Sequence, residues 1–314
     1  MQINEKKLIL APMAGFSDQP FRRLCRKMGA DEVVTELLSA NAIIRDSKKT
    51  LRLAEIHPDE IPAAIQIFGE DPQVMGEAAK RLEGEGCASI DINMGCPAKK
   101  VRRHGAGSAL LETPSLAVEV VKSVVDAVKI PVSVKIRVGK NNESKTGRDV
   151  AIGASDNGAY RITIHARTIE GMFSGPIDFD FVAEIKESVS AEVIGNGGIY
   201  NVNDAVEWVE KTGVDGLMVG RGAIGRPSIF NAIRNGSEAS VIEDIETILL
   251  HCEWMEEYYG PKYGIGPMRG HLMYYVKGFS DAKRFRASVN CANSFAEIKD
   301  TVARYFEKEL ESVA

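Results

Sequence analysis

The stretch Ser89-Ile90-Asp91-Ile92-Asn93-Met94-Gly95-Cys96-Pro97 decides how the chain is read. Six residues rich in isoleucine and methionine form a strand, and Gly95 and Pro97 then break it. Such a strand would carry Asn93 near its end and release Cys96 into a loop. Seven similar runs flank it: Leu8–Met13, Glu32–Leu37, Pro62–Phe68, Val132–Val138, Arg161–His165, Glu192–Gly195 and Gly216–Val219. Most are nearly continuous apolar runs, as parallel strands covered on both faces require. Their starts lie 24 to 43 residues apart, and polar stretches with helical spacing separate them. Eight βα units over about 230 residues predict a closed (β/α)8 TIM barrel. An open doubly wound sheet competes, but it seldom needs eight units.

Helix starts support this rhythm. Asp71-Pro72 reads as an N-cap followed by proline at the first helical position, opening a helix towards Glu83. Thr113-Pro114 repeats the pattern, ahead of a stripe of Leu116, Val120, Val121, Val124 and Val128. Past Ile233 the alternation stops. Asn235-Gly236-Ser237 reads as a linker, so the predicted division is a barrel over 1–236 and a small all-helical domain over 237–314. Ile242, Ile245, Ile248, Leu249, Cys252 and Met255 share one helical face there, and Phe295, Ile298, Val302, Tyr305 and Phe306 share another.

With 314 residues, 44% hydrophobic and 26% charged, the chain has an ordinary globular composition. No apolar run approaches the roughly 18 residues of a membrane span, and Pro12 and Gly15 interrupt any likeness to a leader peptide. The five cysteines show no CxxC spacing, so neither a disulfide framework nor a bound metal is expected. A reducing cytoplasm and a monomer are the accompanying expectations. The net charge of −5 argues against indiscriminate coating of nucleic acid.

In barrels of this kind reacting groups gather at the C-terminal strand ends. Those ends carry Pro12, Met13 and Ala14; Gln66; Asn93 and Cys96; Lys135 and Arg137; His165 and Arg167; Asn196, Gly197 and Gly198; and Gly220 and Arg221. Two glycine-rich loops, after strands seven and eight, suit an anion held by backbone N–H groups, with Arg221 adding charge. The alternative is two tight turns. Lys135 sits inside an apolar strand, where an unpaired ammonium is costly. It either faces a ligand such as an electron-rich heterocycle or pairs with Asp91. Cys96 stands in a loop just before Lys99-Lys100-Val101-Arg102-Arg103-His104, a setting that favours a reactive thiol. The remaining cysteines read as buried apolar residues.

Charge is also unevenly spread. Residues 238–257 hold seven acids and no Lys or Arg, whereas 262–286 hold six Lys or Arg against Asp281 alone. Tyr258, Tyr259, Tyr263, Tyr274, Tyr275 and Phe279 interleave with or adjoin that basic stretch, a mixture suited to RNA phosphates and bases.

The segments Ala11–Arg22, Asp91–Val101, His165–Thr168 and Gly220–Ala223 together resemble the tRNA-dihydrouridine synthases, over nearly the whole chain. The resemblance implies an FMN-containing barrel with a helical tRNA-binding domain, FMN re-reduced by NADPH, and tRNA as partner. It implies hydride transfer from the flavin to C6 of a uracil, with Cys96 as general acid towards C5. By the same similarity Pro12, Met13, Ala14 and Gln66 would line the flavin, Lys135 would lie near its pyrimidine edge, and His165 would contact it. Asn196, Gly197, Gly198, Gly220 and Arg221 would hold its phosphate. Asn93 and Arg167 would face the uracil. Lys99, Lys100, Lys283, Arg284 and Arg286 are the tRNA-contact candidates. Two positions depart from the family pattern: Gly198, where an acidic residue is frequent, and Ser17, where threonine is usual. The rival readings are an FMN barrel acting on a free pyrimidine and a non-catalytic tRNA-folding factor.

Overall fold

The computed structural model describes residues 3–237, 241–279 and 281–313, with the side chains of 241–243 and 308–313 outside the description. Eight parallel strands close on themselves: β1 (Lys7–Leu10), β2 (Glu32–Val34), β3 (Ala63–Phe68), β4 (Ser89–Met94), β5 (Val132–Arg137), β6 (Arg161–His165), β7 (Glu192–Asn196) and β8 (Gly216–Val219). Closure is completed by β2 pairing with β3 (Val33 opposite Ala63) and β8 with β1 (Val219 opposite Leu10). The predicted barrel is therefore the observed one.

The first two strands are shorter than their apolar runs suggested. Pro12 has no N–H to continue a ladder, so β1 ends before it. Beyond Thr35 the chain turns, and the Thr35 hydroxyl accepts from the backbone N–H of Gln66 (3.0 Å), replacing a strand-to-strand bond. Leu38–Ser39 then adds a two-residue strand beside Ile67 and Phe68, too short to leave a periodic signal.

The outer shell consists of α1 (Gln19–Lys27), a pair of short helices (Ala40–Ile44, Lys48–Ala54), α2 (Pro72–Leu82), α3 (Pro114–Ala127), α4 (Gly147–Asp156), α5 (Phe179–Ser188), α6 (Val202–Thr212) and α7 (Ile229–Asn235). Asp71 caps α2 by accepting from Val74 N (3.0 Å), as its sequence implied. Thr113 does not: proline begins α3, but no side-chain cap bond forms. Val120, Val121 and Val124 of that helix are fully buried, with Leu116 and Val128 at the margin.

Four further helices follow: α8 (Val241–Tyr259), α9 (Ile265–Tyr275), α10 (Ala282–Cys291) and α11 (Phe295–Val313). They share a separate apolar core that includes Ile248, Cys252, Met255, Phe285, Phe295 and Phe306. Of the residues expected on its faces, the Ile242 side chain falls outside the description. This bundle grips the barrel near α1. Arg23 lies over the Trp254 ring (4.3 Å) and pairs with Glu257 (3.1 Å), and Arg52 donates to the Tyr258 carbonyl (2.8 Å).

At the opposite, N-terminal end of the strands, buried Arg161 pairs with Glu32 (2.7 Å) and Glu192 (2.6 Å), and Lys7 also reaches Glu192 (2.9 Å). These ions tie β1, β2, β6 and β7 across the barrel floor. Removing one partner from such a group leaves uncompensated buried charge. Arg161→Ala is expected to lower stability by about 3–5 kcal/mol, read from urea unfolding, while leaving the rim chemistry at the other end in place.

Candidate active site

The strand register decides which side chains meet at the C-terminal rim. Asn93 stands opposite Lys135, and Arg137, His165 and Asn196 form a row across β5, β6 and β7. A cavity of about 900 Å³ opens above them, running from the strand ends to the inner face of the helical bundle. Pro12, Met13, Ala14, Gln66, Asn93, Cys96, Lys135, His165 and Arg221 all line it. A second recess of about 120 Å³ adjoins it through Met13, Lys135, His165 and Arg221, and Arg167, Asn196, Gly197, Gly198 and Gly220 line that. Every residue predicted for cofactor, uracil and acid therefore borders one or other of these two adjoining cavities. Lys99 and Lys100 do not: they open a short exposed helix outside both cavities.

Buried polar side chains at the rim are joined by hydrogen bonds. Asp91 accepts from Gln66 Nε2 (2.6 Å) and Ser133 Oγ (2.6 Å); Gln66 Oε1 accepts from Asn93 Nδ2 (2.8 Å). Asn93 Oδ1 in turn accepts from the backbone N–H of Cys96 (3.0 Å) and of Gly95 (3.3 Å). Asn93 thus turns the chain so that Cys96 enters the cavity half-buried. Its amide was expected to face the uracil; one donor and its oxygen are committed to the protein.

Arg137, fully buried, holds the loop from the other side. It donates to the Gly95 carbonyl (2.9 Å) and to the carbonyls of Thr168 (3.0 Å) and Met172 (2.6 Å). Gly107 then fixes the loop's underside. Its φ is +63°, and a Cβ there would lie 2.9 Å from the Cys96 carbonyl oxygen and 2.8 Å from Val101.

Lys135 does not pair with Asp91. Its Nζ donates to Asn196 Oδ1 (2.8 Å), and Asn196 Nδ2 donates to the Met218 carbonyl (2.7 Å). Burial pushes the ammonium down to about 7, helped by the charge of Arg137. His165 is held neutral by burial and by the cations of Lys135, Arg137, Arg167 and Arg221. Its Nε2 lies 3.3 Å from Arg167 Nη1, so imidazole and guanidinium face the smaller recess together.

That recess has the form of an anion cradle. Gly197 and Gly198 take φ values of +122° and +70°, and a Cβ on Gly197 would sit 3.0 Å from the His165 ring. Trp208 of α6 donates its indole N–H to the Gly197 carbonyl (2.8 Å), which fixes the loop's orientation. Among the described residues, the backbone N–H groups of Gly197, Gly198, Gly220 and Arg221 donate to no protein acceptor. Four uncommitted donors beside two guanidinium groups suit a phosphate monoester, and the larger cavity beside them has room for a planar ring system. The residues present therefore fit FMN.

The aromatic residues read as an RNA surface divide in two. Tyr263 (78% exposed) and Tyr274 (42%) face solvent. Tyr258 and Tyr259 instead bond to the barrel through Arg52 and Asp18, and Tyr275 is buried. The cations divide likewise: Lys262, Lys277, Lys283 and Arg284 are exposed, whereas Arg269 and Arg286 donate to backbone carbonyls of Ala292 and Met273. Sequence reasoning did not single out Phe173 and Tyr200, whose rings flank Arg221 at 5.3 and 5.9 Å. Neither lies at a strand end, so the barrel pattern gave no signal for them.

The model of the dihydrouridine synthase (Dus) family matches residues 9–311. A tRNA-dihydrouridine synthase B of Pseudomonas aeruginosa is 41% identical over 90% of this chain and 88% of its own. A probable tRNA-dihydrouridine synthase of Rickettsia conorii is 39% identical over 97% and 95%. Among solved structures, morphinone reductase in complex with tetrahydroNAD superposes with a TM-score of 0.54 at 13% identity, covering 74% of this chain and 88% of that one. Histamine dehydrogenase from Rhizobium gives 0.57 at 15%, over 81% and 50%. A match across nearly the full length, joined to a cysteine and a phosphate-sized cradle on one rim, makes this chain an oxidoreductase of the dihydrouridine synthase family.

Proposed function

We propose that the chain reduces uridines in tRNA to 5,6-dihydrouridine, using FMN that NAD(P)H re-reduces. The observation that carries this reading is that Cys96, Lys135 and His165 line one cavity, and that Lys135 and His165 also line the adjoining recess that holds the glycine cradle. FMN, when bound, supplies the hydride for C6 of the uracil. Asn196, Gly197, Gly198, Gly220 and Arg221 would hold its phosphate, and Pro12, Met13, Ala14, Gln66, Lys135 and His165 would border the ring.

The protein's own task is then the proton. C5 gains carbanion character as C6 is reduced, and the Cys96 thiol would protonate it. Asn93 and Arg137 hold the loop that carries the thiol. Arg167 would orient the base. The base must leave its stack to enter a rim cavity, and the exposed Tyr274 beside Lys277 offers an aromatic face and a cation at the entrance. Lys99, Lys100, Lys283 and Arg284 would meet phosphates further out, with Arg286 supporting α10. The bundle over 237–314 is thereby read as the RNA-holding domain. A free pyrimidine would need no such bundle, and a folding factor would need no acid on this loop.

Incubation with unmodified tRNA and NADPH, followed by nucleoside mass analysis, tests the reading directly: uridine should gain two hydrogens. Cys96→Ala should retain flavin absorbance and slow turnover roughly 10²–10⁴-fold, the usual range for a lost general acid. Unchanged turnover would refute the acid role. Gly107→Ala should reproduce part of that loss, because it displaces the loop while keeping the thiol, and flavin content should again hold.

Lys135 supplies a pH signature in flavin-free protein. Its native value of about 7 lies below the ordinary 10.5, so between them the unfolded chain binds the extra proton. Stability should therefore rise with pH across that window. Lys135→Met should remove this component, and parallel urea-unfolding curves of the two proteins at pH 7 and pH 10 would measure it.

A further inference from the structure

Where the bundle meets the barrel, Asp18, His251 and His271 come together in full burial, from the N-cap of α1, from α8 and from α9. One potential ligand atom from each lies within 4.8 Å of the others, and the two imidazoles sit 4.5 Å apart at 69°. None of the three lines either rim cavity. Among the described residues, His251 Nε2 and both nitrogens of His271 have no hydrogen-bond partner. Phe16 and Phe21 pack around His271 with ring distances of 5.5 and 5.0 Å, so apolar rings cover it on those sides. Buried, unpartnered imidazole nitrogens are rare because each forfeits its hydration.

We propose that Asp18, His251 and His271 bind one zinc-type dication that clamps the helical bundle to the barrel. The donor set is two imidazoles and a carboxylate, which suits Zn²⁺. Supporting bonds of the kind that orient metal ligands are present. His251 Nδ1 lies 3.0 Å from the Tyr275 hydroxyl, leaving Nε2 for the metal, and Asp18 Oδ2 accepts from the Tyr259 hydroxyl (3.0 Å). Burial keeps both imidazoles neutral, the form that ligates a metal. The nearby Arg22 guanidinium is engaged with Glu60 and the Ser17 carbonyl, so it does not neutralise Asp18 directly. The sequence pointed away from a metal because only cysteine spacing was informative there; His251 and His271 stand twenty residues apart and meet through packing.

The test is metal analysis of the full chain purified without chelator. About one zinc per chain is expected. Chelation should lower the melting temperature, and added Zn²⁺ should restore it. His271→Phe, which matches its aromatic surroundings, and Asp18→Asn should both lose the metal, and Tyr275→Phe should weaken zinc binding about 10–100-fold. A chain that retains no metal and melts identically with and without Zn²⁺ overturns the proposal, as does zinc retained in His271→Phe. Should that variant fail to fold, chelation of the unaltered chain still decides. The dihydrouridine assay is a separate readout, so failure of the metal site would leave the catalytic reading standing.

Discussion

Closure of eight parallel strands is the constraint on which the rest depends. Because all strands run the same way, every residue at a C-terminal end faces one rim, whatever its distance in sequence. Asn93, Lys135, His165 and Asn196 are neighbours only because the register sets β4 to β7 side by side. The barrel then segregates its charges. Carboxylate-balanced ions seal the floor through Arg161, whereas the rim gathers Lys135, Arg137, Arg167 and Arg221 with backbone donors and amides. The floor stabilises; the rim is poised for an anion.

The rim's order depends on neutral amides as much as on charge. Gln66, Asn93 and Asn196 each bond in two directions, linking Asp91 to the Cys96 loop and Lys135 to the β8 backbone. An amide can donate and accept at once, so it passes orientation along a chain without adding charge to a buried site. The cysteine is therefore placed by a network that runs through both neighbouring strands, from Ser133 of β5 by way of Asp91 to Gln66 of β3 and back to Asn93.

The barrel was legible from strand spacing, and the rim residues followed from the fold rule that assigns function to strand ends. What escaped the sequence was tertiary in origin. The pairing of Lys135 with Asn196 instead of Asp91 depends on side-chain direction, which periodicity does not encode. The interleaved tyrosines looked like one stacking surface; Tyr258, Tyr259 and Tyr275 turned inward because the bundle needed hydroxyl partners against Arg52, Asp18 and His251. Arg269 and Arg286 likewise satisfy carbonyls within the bundle, so the net basic charge of that segment overstates what it presents to solvent. Thr113 shows the same limit at small scale: the dipeptide announced a helix start, yet the hydroxyl found no amide.

Trp208 has a wider consequence. Its ring lies where a Cβ on Gly195 would be, and its N–H holds the Gly197 carbonyl, so an outer-shell helix is mechanically coupled to a loop facing the interior. Tolerance to substitution in α6 is therefore uneven along its length. Changes on its solvent side are free to accumulate, but any that rotate the indole would be felt in the shape of the Gly197–Gly198 loop at the rim, far from the altered surface.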